Sequence, residues 1–287
     1  MKVIDKGKMR TIEFNSFDEF LHEVRTKPRE EDNNSASADN SAKKKWDMNA
    51  GWDGANELAS RGWKAGLTKM ARVRSLVELP DQSDRSIQAQ PFFSDEGDEV
   101  DIDRYLAGET ECMIQFTPEL TPSYGRVAKV IVNLAASCGV DSDTMYRRGA
   151  AACILIDALE SAGVRCEVWV MPNTEKGRQH TFHSKVLVKR PDEHVEPDRM
   201  AFMLAHPAVM RRLGFRLVEQ QPPDTWGKIT WQGYGRPDDI TEAEQQEAGT
   251  IYFGRQYSQY HTDEDMVREV NRILAKYLEV KETPEYA

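Results

Sequence analysis

The clearest hydrophobic pattern in the chain predicts a strand, a helix and a second strand in succession. The run Val127–Leu134 is rich in β-branched residues, as expected of a buried strand. From Met145 to Leu159 apolar residues recur every three or four positions, which is typical of a helix that covers a sheet. Gly163 then supplies a helix stop, and Cys166–Val170 is again extended and largely apolar. The pattern therefore predicts one βαβ unit.

A βαβ unit indicates the fold class and the place where a ligand would bind. Parallel strands joined by a covering helix belong to α/β proteins, so we expect a mostly parallel sheet flanked by helices. In open sheets of this kind, ligands bind at the carboxyl ends of the strands. Here that end is the loop Ala135–Thr144, and we expect the contact region around Asn133–Asp143.

The N-terminal third predicts short elements. Lys8–Phe14 is a candidate strand, and the helix that follows has Ser16 as its cap with Glu19 three residues later, the pattern of a capping box. Residues 46–79 place apolar residues at helical spacing, with interruptions at Gly62 and Gly66. Two short helices, or one broken helix, account for this segment.

The C-terminal part predicts further strands and helices. We expect a strand at Ser184–Lys189 after a loop at Lys176–His180, and then two helices divided near Pro207, with Gly214 closing the second. The remaining predictions are strands at Phe215–Glu219 and Thr250–Phe253, a strand at Cys112–Phe116, a short helix at Val100–Leu106 and a final amphipathic helix at Asp263–Tyr277.

Composition divides the chain into four segments. Residues 27–45 contain almost nothing that can be buried, so we expect a disordered linker. Residues 1–26 form a short strand and helix, residues 46–122 form an extension that packs on the core, and residues 123–287 form the α/β domain.

Charge and hydropathy exclude several classes of protein. The net charge of -10 argues against indiscriminate attraction to nucleic acid or anionic membranes. No apolar run reaches the roughly 20 residues needed to cross a bilayer, so we expect no membrane contact and a cytoplasmic location. The four cysteines lack any CxxC pair and are expected to be reduced packing residues: Cys112, Cys138, Cys153 and Cys166.

The strand end NLAAS, followed by an acidic loop and the helix YRRGAAACILIDALES, resembles the first unit of the von Willebrand factor A-like fold. The resemblance implies a Rossmann-like domain with a helical N-terminal extension. In that family, an Asp-x-Ser-x-Ser motif at the strand end binds Mg²⁺, since hard cations prefer oxygen ligands. The corresponding residues are Asn133, Ala135 and Ser137, so the metal motif is degenerate. Asp141 and Asp143 are further candidate ligands, although acids before a helix are more often caps.

Three other segments resemble an uncharacterised family encoded by tailed phages. They are GWDGANELASRGWKAG, VDIDRYLAGETECM and AFMLAHPAVMRRLGF. This resemblance implies a phage-encoded protein in the host cytoplasm. It does not indicate an activity.

Histidines, paired acids and paired arginines all have simple structural interpretations. His180 and His183 are three residues apart and would point to opposite faces of a strand, so we interpret them as loop or strand-edge residues. We expect the arginine pairs at 147–148 and 211–212 to be solvated helix faces.

Aromatic and basic residues are interleaved in the C-terminal third, as in proteins that stack single-stranded nucleic acid. The candidates are Trp231, Tyr234, Arg236, Arg255 and Tyr257. The same residues also suit a protein interface.

These observations predict a non-enzymatic binding or adaptor protein that contacts a protein partner through the carboxyl end of its sheet. A single-stranded nucleic-acid-binding accessory of phage replication or transcription is the first alternative. A metal-dependent enzyme is the second. No cofactor is expected, apart from Mg²⁺ at the degenerate motif.

Overall fold

The computed structural model describes residues 1–26, 36, 45–77, 90–97, 99–117, 127–177, 180–222, 224–230, 233–257 and 262–279. These residues form a mixed α/β fold in which a largely parallel central sheet is flanked by helices. Most of the predicted linker 27–45 lies outside the described residues, as does Trp231.

The strands of the central sheet are β1 (Lys2–Lys6), β2 (Met9–Phe14), β6 (Val127–Asn133), β7 (Arg165–Met171), β8 (Thr174–Lys176), β9 (His180–Lys189), β10 (Arg236–Pro237) and β11 (Thr250–Phe253). A separate small sheet contains β3 (Gln90–Ser94), β4 (Glu99–Val100) and β5 (Met113–Thr117).

The helices are α1 (Phe17–Thr26), α2 (Gly51–Arg61), α3 (Lys64–Arg74), α4 (Ile102–Leu106), α5 (Ser142–Ser161), α6 (Pro197–Ala205), α7 (Phe215–Glu219), α8 (Glu242–Gln245) and α9 (Asp263–Glu279). A π-helical segment, Val209–Gly214, leads directly into α7, and 3₁₀ turns cover Lys45–Asp47 and Trp226–Thr230.

The central sheet has the order β1-β2-β9-β7-β6-β11. Strand β6 is parallel to both β7 and β11, and β2 is parallel to β9, whereas β1–β2 and β7–β9 are antiparallel. Strands β8 and β10 extend the sheet beyond the carboxyl ends of β6 and β7. The predicted unit is confirmed: β6, α5 and β7 follow one another, and Gly163 takes the positive φ of 77° that ends the helix.

Alternation along the strands divides the sheet into two faces. Val130 and Val132 lie in the main core, to which α1, α2, α3, α5, α6 and α9 all contribute buried side chains. Ile131 points to the opposite face, where it packs with Met171 and Ile240 in a smaller cluster. The long helices thus crowd one face, and the segment around α8 covers the other.

Several predicted boundaries are confirmed. Strand β11 and helix α9 form where expected, and Ser16 caps α1 by accepting a hydrogen bond of 3.1 Å from the Glu19 backbone N–H. The predicted break falls at Gly62, between α2 and α3, while Gly66 lies inside α3.

The strand predicted at Phe215–Glu219 is wrong, because these residues form helix α7. Gly214 does not end a helix. Its φ of -63° is helical, and the helical path continues through it into α7. Adjacent Leu217 and Val218 are both buried, which a strand with one buried face does not allow. The loop predicted at Lys176–His180 is also partly wrong, since its ends belong to β8 and β9.

Three arginines predicted to be solvated are buried instead. Arg148 donates hydrogen bonds to the carbonyls of Phe253 and Gly254. Arg211 donates to the carbonyls of Trp46 and Val140, and Arg212 forms an ion pair of 2.6 Å with Asp47. These hydrogen bonds, together with the ion pair of Arg212, connect loops to the helices and offset part of the cost of burying the charges. Arg147 is half-buried and lies 3.5 Å from the Asp263 carboxylate.

Candidate functional site

The carboxyl ends of β6 and β11 meet at one edge of the sheet because the two strands are parallel. Residues 236–241 cross this edge; they begin with strand β10, which pairs with β8. The site is built from polar side chains that these three segments and β9 bring together. We call it the carboxyl-end cluster; its residues are Asn133, His183, Asp238, Asp239, Tyr252 and Arg255.

Asn133 is fully buried at the last position of β6. Its amide nitrogen donates to the Asp238 carbonyl at 2.7 Å and lies 3.2 Å from both the Asp239 carboxylate and the Tyr252 hydroxyl. Its amide oxygen accepts a hydrogen bond of 3.0 Å from the backbone N–H of Ala135. Both ends of the amide are therefore used to hold the chain at this edge.

Asp239 is the acceptor at the centre of the cluster. One carboxylate oxygen accepts from the Tyr252 hydroxyl and from the Arg255 backbone N–H, each at 2.7 Å. The other lies 3.1 Å from the Arg255 guanidinium. Burial, and then the bond to the Asp239 carboxylate, raise the pKa of Tyr252, so the phenol stays protonated and donates.

Asp238 forms a hydrogen bond with His183, and 2.8 Å separates the Asp238 carboxylate from Nε2 of the imidazole ring. Burial alone would raise the pKa of Asp238, but the hydrogen bond from His183 and the nearby charge of Arg255 hold this pKa below its usual value. His183 is itself buried on β9, so the pair links the central sheet to the crossing segment.

Tyr257 is the part of the site that faces solvent, with 53% of its surface exposed. Its hydroxyl donates to the Pro237 carbonyl at 3.2 Å, and the Arg255 guanidinium lies 5.2 Å from the centre of its ring. The backbone N–H of Ser137 donates to the Gln256 carbonyl at 2.8 Å, which fixes the loop after β6 beside Tyr257. The exposed ring therefore stands on an ordered support.

Two of the four candidate metal ligands, Asn133 and Asp141, have structural partners of their own. Asp141 is the N-cap of α5 and accepts from the Thr144 backbone N–H at 2.6 Å, a bond that lowers the pKa of the Asp141 carboxyl. Asp143 is exposed in the first turn of α5, and Ser137 is half-buried in the loop. Across the part of the chain that the structure describes, no group of three or more His, Cys, Asp or Glu residues is arranged to hold a metal ion.

The candidate nucleic-acid residues separate into two groups. Tyr234 stacks on Phe215 with ring centres 3.9 Å apart, and its hydroxyl bonds to Glu219, so it faces inward. Arg236 is exposed and immediately precedes Pro237, whose carbonyl also accepts from Arg255 at 3.2 Å. Arg255 and Tyr257 thus lie together, Arg236 is their neighbour only through Pro237, and Trp231 is outside the described residues.

The sequence indicated Asn133 but not its partners. Asp238 and Asp239 are 105 and 106 residues away from it, and no local spacing connects them. The hydrophobic pattern gave one usable signal, because Asn133 ends a buried strand and a polar residue there needs a partner.

Comparisons with known proteins identify a family and no activity. A model of a domain of unknown function (DUF7192) matches residues 3–278, so the chain belongs to that family. No curated protein and no solved structure gives a significant match. Among the described helices, none is long and apolar enough to cross a membrane.

Proposed function

We propose that this DUF7192 protein is a non-enzymatic binding or adaptor protein that contacts a protein partner through the carboxyl end of its sheet. The observation that supports this proposal most directly is the exposed pair formed by Tyr257 and Arg255, the exposed member of the carboxyl-end cluster. Tyrosine and arginine are enriched among the residues that carry binding energy at protein interfaces.

The cluster beneath this pair supports binding rather than catalysis. Asn133, Asp239 and Tyr252 direct their polar atoms at one another. A general acid or base must be within hydrogen-bond reach of its substrate. The Asp238 carboxylate is hydrogen-bonded to the buried His183, and this bond stabilises the edge on which the exposed residues stand.

Local charge favours a protein partner over nucleic acid. The loop 137–143 contains two acids and no base, and the positive charge of Arg255 lies beside the carboxylate of Asp239. Nucleic-acid affinity depends mainly on cations that neutralise phosphates. A partner with aromatic and polar side chains fits this surface better.

The von Willebrand A-like topology and the phage origin belong to the same proposal. The succession β6, α5, β7, with β11 parallel on the other side of β6, supports a Rossmann-like arrangement around the loop after β6. The degenerate motif at Asn133 suits a member of such a fold that binds without an ion. The resemblance to tailed-phage proteins favours a partner in an infected host cell.

A quantitative capture experiment tests the proposal. Tagged wild type, Tyr257→Ser and the control Leu76→Ser are used to isolate partners from native cells, with label-free mass spectrometry as the readout. Leu76 is equally exposed, at 53%, and distant from the cluster in sequence. We expect Tyr257→Ser to reduce one recovered protein by about tenfold or more, as at an interface hot spot. Equal recovery by all three would contradict the proposal.

Single-stranded nucleic acid is the alternative ligand, because Arg255 and Tyr257 lie together and Arg236, next to Pro237, is also exposed. Fluorescence anisotropy of labelled single-stranded DNA and RNA, at several salt concentrations, separates the two hypotheses. Salt-sensitive binding that Tyr257→Ser abolishes would replace the protein partner with nucleic acid. Repeating the titration with Mg²⁺ also tests the metal-dependent alternative.

A further inference from the structure

The small sheet and α4 form a part of the molecule that packs on little else. Residues 90–117, which we call the acidic module, contain β3, β4, β5 and α4. None of its described side chains is buried. Among the residues that the structure describes, no hydrogen bond or ion pair joins the acidic module to the rest of the chain. The contacts that hold the acidic module together are therefore made within it, and its outer surface is exposed to solvent.

That surface carries large apolar side chains. Ile102, Tyr105 and Leu106 are 68%, 64% and 76% exposed, and their spacing of three and four residues places them on one face of α4. Phe93 lies beside this helix, because the Arg104 guanidinium is 3.7 Å from the centre of its ring. Contiguous apolar residues that a folded chain leaves exposed mark an interaction site.

The same segment has a large net negative charge. Residues 90–117 contain eight acids and one base, Arg104, so they carry -7 of the total net charge of -10. Arg104 is committed within the module, with an ion pair of 3.1 Å to Glu109 and a hydrogen bond of 3.3 Å to the Glu111 carbonyl. The positive charge of Arg104 is therefore neutralised within the module, and acidic residues surround the apolar face of α4.

We propose that the acidic module is a second docking surface, and that it binds a basic amphipathic segment of a protein partner. The partner's apolar residues would cover Ile102, Tyr105 and Leu106, and its lysines and arginines would face the surrounding carboxylates. Nucleic acid and anionic membranes are repelled by this charge. A second copy of the chain would place two sets of seven net negative charges together, which disfavours self-association.

The proposal is tested with three labelled peptides of 18 residues and the full-length protein. The first has lysine and leucine arranged as a basic amphipathic helix. The second has the same composition in an order without an apolar face, and the third replaces lysine with glutamate. We expect fluorescence anisotropy to show salt-sensitive binding of the first peptide, at least about tenfold tighter than of the second, and none of the third.

Variants locate the binding on the module. The double variant Ile102→Ser, Leu106→Ser changes exposed residues only, so the fold is retained; we expect it to lose about tenfold in affinity for the first peptide. Leu76→Ser is the matched control and should bind as wild type does. Equal binding of the first two peptides, or equal loss in Leu76→Ser, would overturn the proposal. So would a wild-type dimer in sedimentation that the double variant converts to a monomer.

Discussion

The side-chain amide of Asn133 lies 3.2 Å from the carboxylate of Asp239, although 106 residues separate them in sequence. This contact joins the end of β6 to the segment that crosses the carboxyl edge of the sheet. The position that carries the metal-binding aspartate in the family that the sequence resembles is occupied here by a neutral donor. Asn133 thereby binds a carboxylate of its own chain.

Replacing Asn133 tests this role. Asn133→Ala leaves the Ala135 N–H and the Asp238 carbonyl without partners, and we expect a loss of about 2–3 kcal/mol in the free energy of unfolding. Asn133→Asp should cost more at pH 7, because it places a second carboxylate against Asp239, and less at pH 5. Urea unfolding measures both. The control, Ser137→Ala, should change little; Asn133→Asp as stable as wild type, and further stabilised by Mg²⁺, would indicate a metal site instead.

The ion pair between Arg212 and Asp47 gives a second prediction. Both side chains are fully buried and lie 2.6 Å apart. Arg212→Met leaves a buried carboxylate unpaired, so we expect a destabilisation of about 3–5 kcal/mol. The double variant with Asp47→Asn should be less destabilised than the sum of the single variants, as urea unfolding of all four proteins would show. Arg61→Met, which removes an exposed pair with Glu57, should change stability by less than about 0.5 kcal/mol.

Stability should fall in mild acid because of His206. Burial lowers the pKa of His206 from 6.5 to about 4, and its Nδ1 accepts from the Ala208 backbone N–H. Between these values the unfolded chain binds a proton that the folded chain does not. The contribution of His206 to the free energy of unfolding is therefore fully present above pH 6.5. It is lost as the pH falls toward 4, and the loss is about 3 kcal/mol at most. Thermal unfolding from pH 7 to 4.5 measures this decline, which His206→Gln should reduce; the same slope in both proteins, or a reduction by exposed His194→Gln as well, would contradict the assignment.

Two glycines should respond in opposite ways to alanine. A Cβ at Gly149 would lie 2.1 Å from the Leu204 carbonyl oxygen, where α5 and α6 come into contact, so Gly149→Ala should cost about 3 kcal/mol or more. At Gly54, inside α2, the nearest atom would be 3.7 Å away, and alanine should stabilise by about 0.5–1 kcal/mol. Denaturant unfolding compares the two; similar effects of both would contradict the close approach of the helices.

The parts of the fold that the sequence predicts correctly depend on local patterns. Helix α5 has apolar residues at helical spacing, Asp141 as its cap and Gly163 at its end, and each signal lies within the element. Helix α7 was predicted as a strand because Phe215–Glu219 is too short to show a period. Contacts with the rest of the core decide its conformation, and these are absent from the local sequence.

The candidate site shows the same division. The strand that Asn133 ends predicts its place at the carboxyl end of the sheet, and the position of Asp141 before a helix offers a cap beside its interpretation as a candidate metal ligand. The pairing of Asp238 with His183, 55 residues apart, and the burial of Arg212 arise only when distant segments meet. Sequence spacing contains no information about such contacts in a chain without a repeat or a known motif.

Photo-cross-linking at Tyr257 tests most directly whether the carboxyl end of the sheet binds a protein. A benzophenone amino acid is placed at position 257, or at Leu76 as the control, and irradiated in native cells. We expect one discrete cross-linked protein from position 257, absent from position 76 and lost when Arg255→Glu is added. A nuclease-sensitive product, or identical products from both positions, would contradict it.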